Sequence, residues 1–394
     1  MQTKPLALRL QGIYQGLPAA WKTGIVAWLV PKCALTLLGF VLFWAGLLHS
    51  HPKLQYYYGI PPILTGTQAA WLGVWQRWDA LHYIRIVQGG YTSNDLTAFF
   101  PLYPLLARLI TELIGIDGLS ALLIVSNLSF LLALVVFYKL VADLFSEQVS
   151  KGAIWCLALF PSAFFFYAVY PQSLALLFAL LCFYSFRKKQ LLVSIVAGIA
   201  TGLTHATVIP LCLLLGVEAV RNWRNSSGLR RWIAFIPAVS PGLGVSIFLA
   251  WRFSQNFPPI FALLQSDWGR LTQWPWQTLL DLPKLFQFQY FYITGWVNLS
   301  LLALILISIF WGYQKLGLGL WIYQLSMLLF LLSSTGSQFE PLSGLNRYAL
   351  LMFPTMIFLA TCIKNRLWKI SAITVGAILQ LYLAALFFLW IWVA

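Results

Sequence analysis

Arg77, Asp79, His82 and Arg85 crowd into one short stretch, WQRWDALHYIR, of a 394-residue chain in which only 9% of side chains are charged. A carboxylate beside an imidazole and two guanidiniums is equipment for moving a proton and holding an anion. If the segment is helical, Asp79, His82 and Tyr83 share one face. Asp79 could then accept the proton of a hydroxyl, with its basicity set by aromatic burial and by Arg77 or Arg85. The plainer alternative is an interfacial loop in which Asp79 caps a helix and pairs with a neighbouring arginine.

The elements that must position this stretch are membrane helices. The chain is 60% hydrophobic with a mean hydropathy of +0.80, whereas soluble proteins are roughly a quarter charged. Long apolar runs such as 121–141 and 371–394 read as transmembrane helices. The fold class expected is an all-α polytopic membrane protein. The net charge of +15 comes from basic residues scattered between apolar spans, which fits membrane orientation better than nucleic-acid binding. Cys33, Cys156, Cys182, Cys212 and Cys362 lie in or beside apolar runs at no metal or redox spacing, so no disulfide and no cysteine-bound metal is expected.

The layout expected is one integral-membrane domain over 1–394 with about eleven spans, the N-terminus cytoplasmic and residues 1–23 interfacial. The first span runs from about Gly24 or Cys33 to Ser50 and delivers a first outer loop, 51–118, beginning at His51. Within it, 99–117 is broken by Pro101 and Pro104 and carries Arg108 and Glu112 four apart, which suits a helix lying in the interface. Spans follow at 119–141, 152–169 and 172–186. Residues 190–220 form a hairpin of two short helices with Thr204-His205-Ala206-Thr207 at its tip, and further spans lie at 232–251, 291–311, 318–333, 348–363 and 370–392. A long outer loop occupies 252–290. This arrangement puts 17 basic residues, Lys4, Arg9, Lys22, Lys32, Arg224 and Lys364 among them, against three carboxylates inside, a net +14. Outside it leaves eight against seven, a net +1, and that asymmetry supports the orientation.

Other candidates follow from it. His205 is either a satisfied core residue or a substrate contact, since ionisable groups at membrane depth usually line a pathway. Arg347, after SGLN, could clamp an anionic group or snorkel from a helix end. Asp267, Trp268 and Arg270 could be a surface ion pair or part of a lid. No P-loop, GxGxxG, HExxH or Ser-His-Asp pattern is present, which argues against a nucleotide-driven pump, a Rossmann enzyme or a zinc protease.

WDALHYIRIVQGGY followed by FFPLYPLLARL resembles the opening signature of the PIG-V type of GPI mannosyltransferase II family, within the GT-C class of membrane glycosyltransferases. LFPSAFFFYAVYPQSLALLFALLCFYSF, GIATGLTHATVIP, PPIFALLQSDWGR and LSGLNRYALLMFP are similar to later family elements in the same order, so the resemblance covers roughly 70–360. It implies a GT-C-like bundle, a polyprenyl- or dolichyl-phosphate sugar donor, a site on the outer or lumenal face and Asp79 as the catalytic carboxylate. Gln172 stands where relatives often carry an acid, which weakens the case for a second acid or a metal. His205 stands where they often carry Arg, which puts phosphate binding at that tip in question.

The function expected is an inverting glycosyltransferase, a mannosyltransferase by analogy, passing a hexose to a lipid or glycan hydroxyl. Asp79 is the base, with His82 orienting it or the acceptor. Arg347 and Arg270 hold the phosphate, and His205, Gln172, Gln265, Trp78 and Tyr103 line the substrate site. No cofactor is expected, metal dependence is left open, and no nucleic acid takes part. The rival readings are a transporter or lipid flippase, which would gather ionisable groups near the membrane midplane, and a non-catalytic scaffold subunit.

Overall fold

The computed structural model describes residues 14–48, 54–223, 227–287, 294–336, 340–363 and 365–393. Lys4, Arg9, His51, Arg224, Lys364 and the first part of the expected interfacial segment lie outside the described residues. Among the described residues the protein is a helical bundle with one strand pair, and six helices are long and apolar enough to cross a membrane, or seven if a bent pair counts as one span. The six are α1 (Ala19–Trp44), α4 (Gly118–Leu144), α8 (Leu211–Trp223, extended by the turn from Ala206), α9 (Ile236–Ser254), α11 (Thr294–Leu316) and α15 (Arg366–Phe388). Three shorter apolar helices, α6 (Gln172–Arg187), α7 (Leu191–Thr204) and α12 (Leu318–Leu332), complete the apolar set. The chain is therefore a multi-pass membrane protein.

Two expected spans are not continuous helices. The span placed at 152–169 is α5 (Glu147–Ala158), followed after Pro161 by the single 3-10 turn Ala163–Phe166. Proline lacks the N–H that would continue the helix. Phe164, Phe165, Phe166 and Tyr167 are wholly buried, so this irregular backbone is enclosed by protein. The span placed at 348–363 is broken at Met352. Leu345–Leu351, containing α13 (Leu345–Tyr348), meets α14 (Phe353–Cys362) at a 78° bend ahead of Pro354. Lys32 also differs from expectation. It stands midway along α1 rather than before the first span, and its ammonium lies 5.3 Å from the Trp75 ring centre and 6.0 Å from that of Tyr167, a cation–π environment.

The interfacial helix expected at 99–117 is α3 (Leu102–Ile114), ended by left-handed Gly115. Tyr103, Pro104 and Ala107 face inward while Leu105, Leu109 and Leu113 are exposed, and Arg108 pairs with Glu112 at 2.9 Å. The expected hairpin is α7 and α8 meeting at His205. α7 packs closely on α9 because both carry small residues. A Cβ on Gly202 would lie 2.8 Å from the Val245 nitrogen and 2.9 Å from the Gly244 Cα. At the opposite end of the bundle, Lys188 pairs with Asp143 at 2.5 Å, and Arg221 with Glu218 at 3.2 Å.

Replacing Gly244 by Val forces the α7–α9 contact apart. The expected cost is about 1–3 kcal/mol, read as a lower melting temperature of the purified protein; an unchanged melt would contradict the packing described.

Candidate active site

The first outer loop is pinned before it reaches Asp79. Gln76 accepts from the Ile63 N–H at 2.8 Å, and its amide donates to the Pro61 carbonyl at 3.2 Å. Buried Arg77 donates to the carbonyls of Gly73 (2.8 Å) and Phe388 (3.1 Å) and to the Tyr57 hydroxyl (3.1 Å). Burial draws the Arg77 guanidinium down to about 10, opposed by Tyr57. Arg77 therefore ties the loop to the end of α15 instead of tuning Asp79. Next comes Trp78 at φ 56°, ψ −127°, a conformation costly for a bulky residue. The rings of Trp390 and Trp392, 5.4 and 5.0 Å from it, hold it there. This twist starts α2 (Asp79–Gly89) with Asp79 as its first residue.

Asp79 forms an ion pair with Arg347 of α13. The guanidinium donates from its other Nη to the Tyr348 hydroxyl at 2.7 Å and lies 5.3 Å from the Tyr170 ring centre. Arg270 reaches the same hydroxyl at 3.5 Å and stands 5.6 Å from the Tyr348 ring. It is brought there by α10 (Ile260–Trp268) and by β1 (Leu271–Thr272), which pairs antiparallel with β2 (Ser334–Thr335). Gly344 is left-handed at φ 82°, and a Cβ there would meet the Tyr348 ring at 2.9 Å and the Arg270 Nη2 at 3.2 Å. The His205 ring lies 5.2 Å from that of Tyr348, with its Nδ1 3.0 Å from the Thr207 hydroxyl.

The fold thus gathers Asp79, Arg347, Arg270 and His205 around Tyr348. Around Asp79 and Arg347 several buried polar atoms have no partner among the described residues: Nε of Arg347, Nε1 of Trp78, Oδ1 of Asn346 and, on the first turn of α6, Oε1 of Gln172. Two guanidiniums and one carboxylate thus meet around Tyr348, leaving a surplus of positive charge.

His82 belongs to a neighbouring cluster. Its Nδ1 lies 3.4 Å from an Arg85 Nη and 3.5 Å from Asp95, so it is turned to them rather than to Asp79. Its ring is enclosed by Tyr58, Phe99 and Trp268 at 4.8–5.1 Å. Arg85 and Asp95 pair at 2.8 Å, and Ser93 donates to the same carboxylate. Tyr103 lies apart, its hydroxyl bonded to Ser126 (2.8 Å) and to the Leu122 carbonyl (3.1 Å) in the core. Gln265 is exposed on α10. Among the described residues no three His, Cys, Asp or Glu side chains form a metal-holding group. Tyr348, Tyr170 and Gly344 escaped the sequence reading; tyrosines are common throughout this chain, so nothing marked these two.

The family model described as Mannosyltransferase (PIG-V) matches residues 60–294, well over half of the chain. The chain belongs to the mannosyltransferase (PIG-V) family. It is accordingly a glycosyltransferase with a sugar donor and an acceptor in a membrane setting. No curated protein matches the chain. The PIG-V match includes Asp79, His205 and Arg270, while Arg347 and Tyr348 lie beyond it and reach the site only through the fold.

Two outcomes follow. The side chains of Arg347 and Asp79 are only 7% and 16% exposed. Arg347→Gln alone strands a buried carboxylate and should cost about 3–5 kcal/mol, with Asp79→Asn in the same chain restoring much of it; a double-mutant cycle of melting temperatures checks this. His82 is held below its ordinary 6.5, first by burial and then by Arg85, against the opposing pull of Asp79 and Asp95. The unfolded ring therefore takes up protons that the folded ring refuses. This contribution to stability is present above 6.5 and is lost as pH falls towards the lowered folded value. His82→Phe should flatten the fall in melting temperature between about pH 7 and 5.

Proposed function

We propose that the protein transfers mannose from a polyprenyl- or dolichyl-phosphate donor to a hydroxyl of a lipid or glycan acceptor, with inversion, at the outer or lumenal face. The observation that carries this reading is one carboxylate paired with a guanidinium whose Nε has no partner among the described residues, beside a second guanidinium on the same tyrosine. An incoming phosphate is the stronger claimant for Arg347 and Arg270, because guanidiniums bind phosphate oxygens in a bidentate fashion. As the donor phosphate engages Arg347, it loosens that residue's hold on Asp79. The carboxylate is then free to take a proton. The acceptor oxygen bonds to the anomeric carbon as the bond from that carbon to the phosphate oxygen breaks. The acceptor proton passes to Asp79, and the polyprenyl phosphate departs against the two arginines.

A phosphate leaves readily, so no general acid is required. Glycoside hydrolysis, with its poorer leaving group, normally needs two carboxylates. Sidedness rests on the charge asymmetry of the loops. The transporter reading draws on Lys32, midway along α1. Its surroundings are two aromatic rings, with no carboxylate paired to it among the described residues, and that is a poor pathway.

The test is transfer of labelled mannose from a short-chain polyprenyl-phosphate mannose to membrane lipids. Asp79→Asn should lower the rate by about 10²–10⁴, with Asp79→Glu recovering part of it. Both proteins are first checked by gel filtration and melting, since Asn also leaves Arg347 without its partner charge. Normal transfer by a folded Asn protein would remove Asp79 from the role of base.

A further inference from the structure

Just after Arg270 the chain turns large apolar side chains outward. The rings of Trp274 and Trp276 stack at 4.9 Å with an interplanar angle of 8°, and the two residues remain 65% and 56% exposed. Leu279 and Leu280, on the short helix Pro275–Leu280, and Phe286, on the 3-10 turn Leu282–Gln287, are exposed as well. Two charged side chains lie within 271–286, Asp281 and Lys284, and they pair with each other at 2.6 Å.

The place where this segment is fastened decides what covers it. The buried Thr278 hydroxyl donates to the Leu332 carbonyl at 2.6 Å, and the Gln273 N–H to the Ser333 carbonyl at 3.1 Å, at the last residue of α12 and the one after it. The segment also lies on the connection from the end of α9 to the start of α11, so it stands level with the ends of three apolar helices. Phe253 in the last turn of α9 and Trp296 in the first turn of α11 are exposed, and the Trp296 ring lies 5.9 Å from that of Phe286. Neither turn adds an exposed charge, since Arg252 is buried. The patch therefore continues the lipid-facing flanks of two spanning helices. Tryptophans at such a level bury an apolar body in lipid and turn their N–H to water. The segment is also joined to the site. Arg270 stands four residues before Trp274, and the pairing of β1 with β2 fixes the link between them. We infer that Trp274–Phe286 is seated in the bilayer interface on the site's side, about 5–10 Å into the headgroup boundary, and that this seating sets the position from which Arg270 meets the donor phosphate. The link to the phosphate rests on the transferase reading above.

The test uses the full-length protein in phosphatidylcholine nanodiscs, with the photoreactive p-benzoylphenylalanine in place of Trp276 or of Leu280 and the melting temperature checked first. Irradiation should attach phospholipid, through its acyl chains, at both positions. No lipid adduct, or adducts only to a second copy of the chain, would overturn the seating. For the link to Arg270, Trp274→Gln combined with Trp276→Gln should lower kcat/KM for polyprenyl-phosphate mannose several-fold, chiefly through KM, as expected when ground-state binding is lost. Trp274→Phe with Trp276→Phe, which keeps two apolar rings, should restore most of it. In an Arg270→Gln background the two glutamine changes should add nothing further, whereas a fold merely loosened would lose activity in both backgrounds. An unchanged KM, or an equal further loss on top of Arg270→Gln, would overturn the proposal. Lipid adducts at both positions with no mannose transfer by the unmodified protein would sink the transferase reading and leave the lipid contact standing.

Discussion

The ion pair between Asp79 and Arg347 joins residues 268 positions apart in the chain, both largely hidden from solvent. Taking two charges out of water costs several kcal/mol per ion, and only close geometry with further hydrogen bonds offsets that cost. The surrounding structure supplies this geometry. Arg77 ties the loop before Asp79 to the end of α15, Trp390 and Trp392 brace Trp78, and Tyr348 takes hydrogen bonds from both Arg347 and Arg270. The C-terminal segment after α15 is thus part of the support for the site: Asn346, beside Arg347, also donates to the Val393 carbonyl.

Each interruption of regular helix near this pair delivers one of its neighbours. The twist at Trp78 starts α2 at Asp79. The bend at Met352 leaves Arg347 and Tyr348 on their own short turn, the break after Pro161 leads to Tyr170, and the gap between α7 and α8 presents His205. Straight apolar helices would bury only apolar side chains at this depth. Broken backbone is tolerated in a membrane protein where it is enclosed by protein or lines a cavity, and the same breaks let polar side chains converge.

Much of this was legible in the primary structure. Asp79, Arg347, Arg270 and His205 were visible as rare ionisable groups in a chain with few of them, and burying such groups without purpose is expensive. The two-helix hairpin at 190–220 and the amphipathic α3 followed from polar breaks and spacing. The place of His82 three residues after Asp79 is legible in the chain, and Asp79 acts on its ring through charge, but the contacts of its Nδ1 with Arg85 and Asp95 depend on how the loop returns through Ser93. Tyr103 has the composition of a substrate contact and the surroundings of a core residue. Hydropathy averages over a window, so it joined α5 to the turn beyond Pro161 and joined α13 to α14.

The sequence by itself determined that this is a multi-pass helical membrane protein of the mannosyltransferase (PIG-V) family with a charged aromatic loop, because hydropathy, charge asymmetry and motif order are local properties that add along the chain. Only the tertiary structure decided which cation meets Asp79, that Tyr348 and Gly344 stand at the centre, and that Lys32 lies between two rings inside the bundle. Those facts depend on contacts between distant segments and on the positive φ of Trp78, and no periodicity in the chain encodes either.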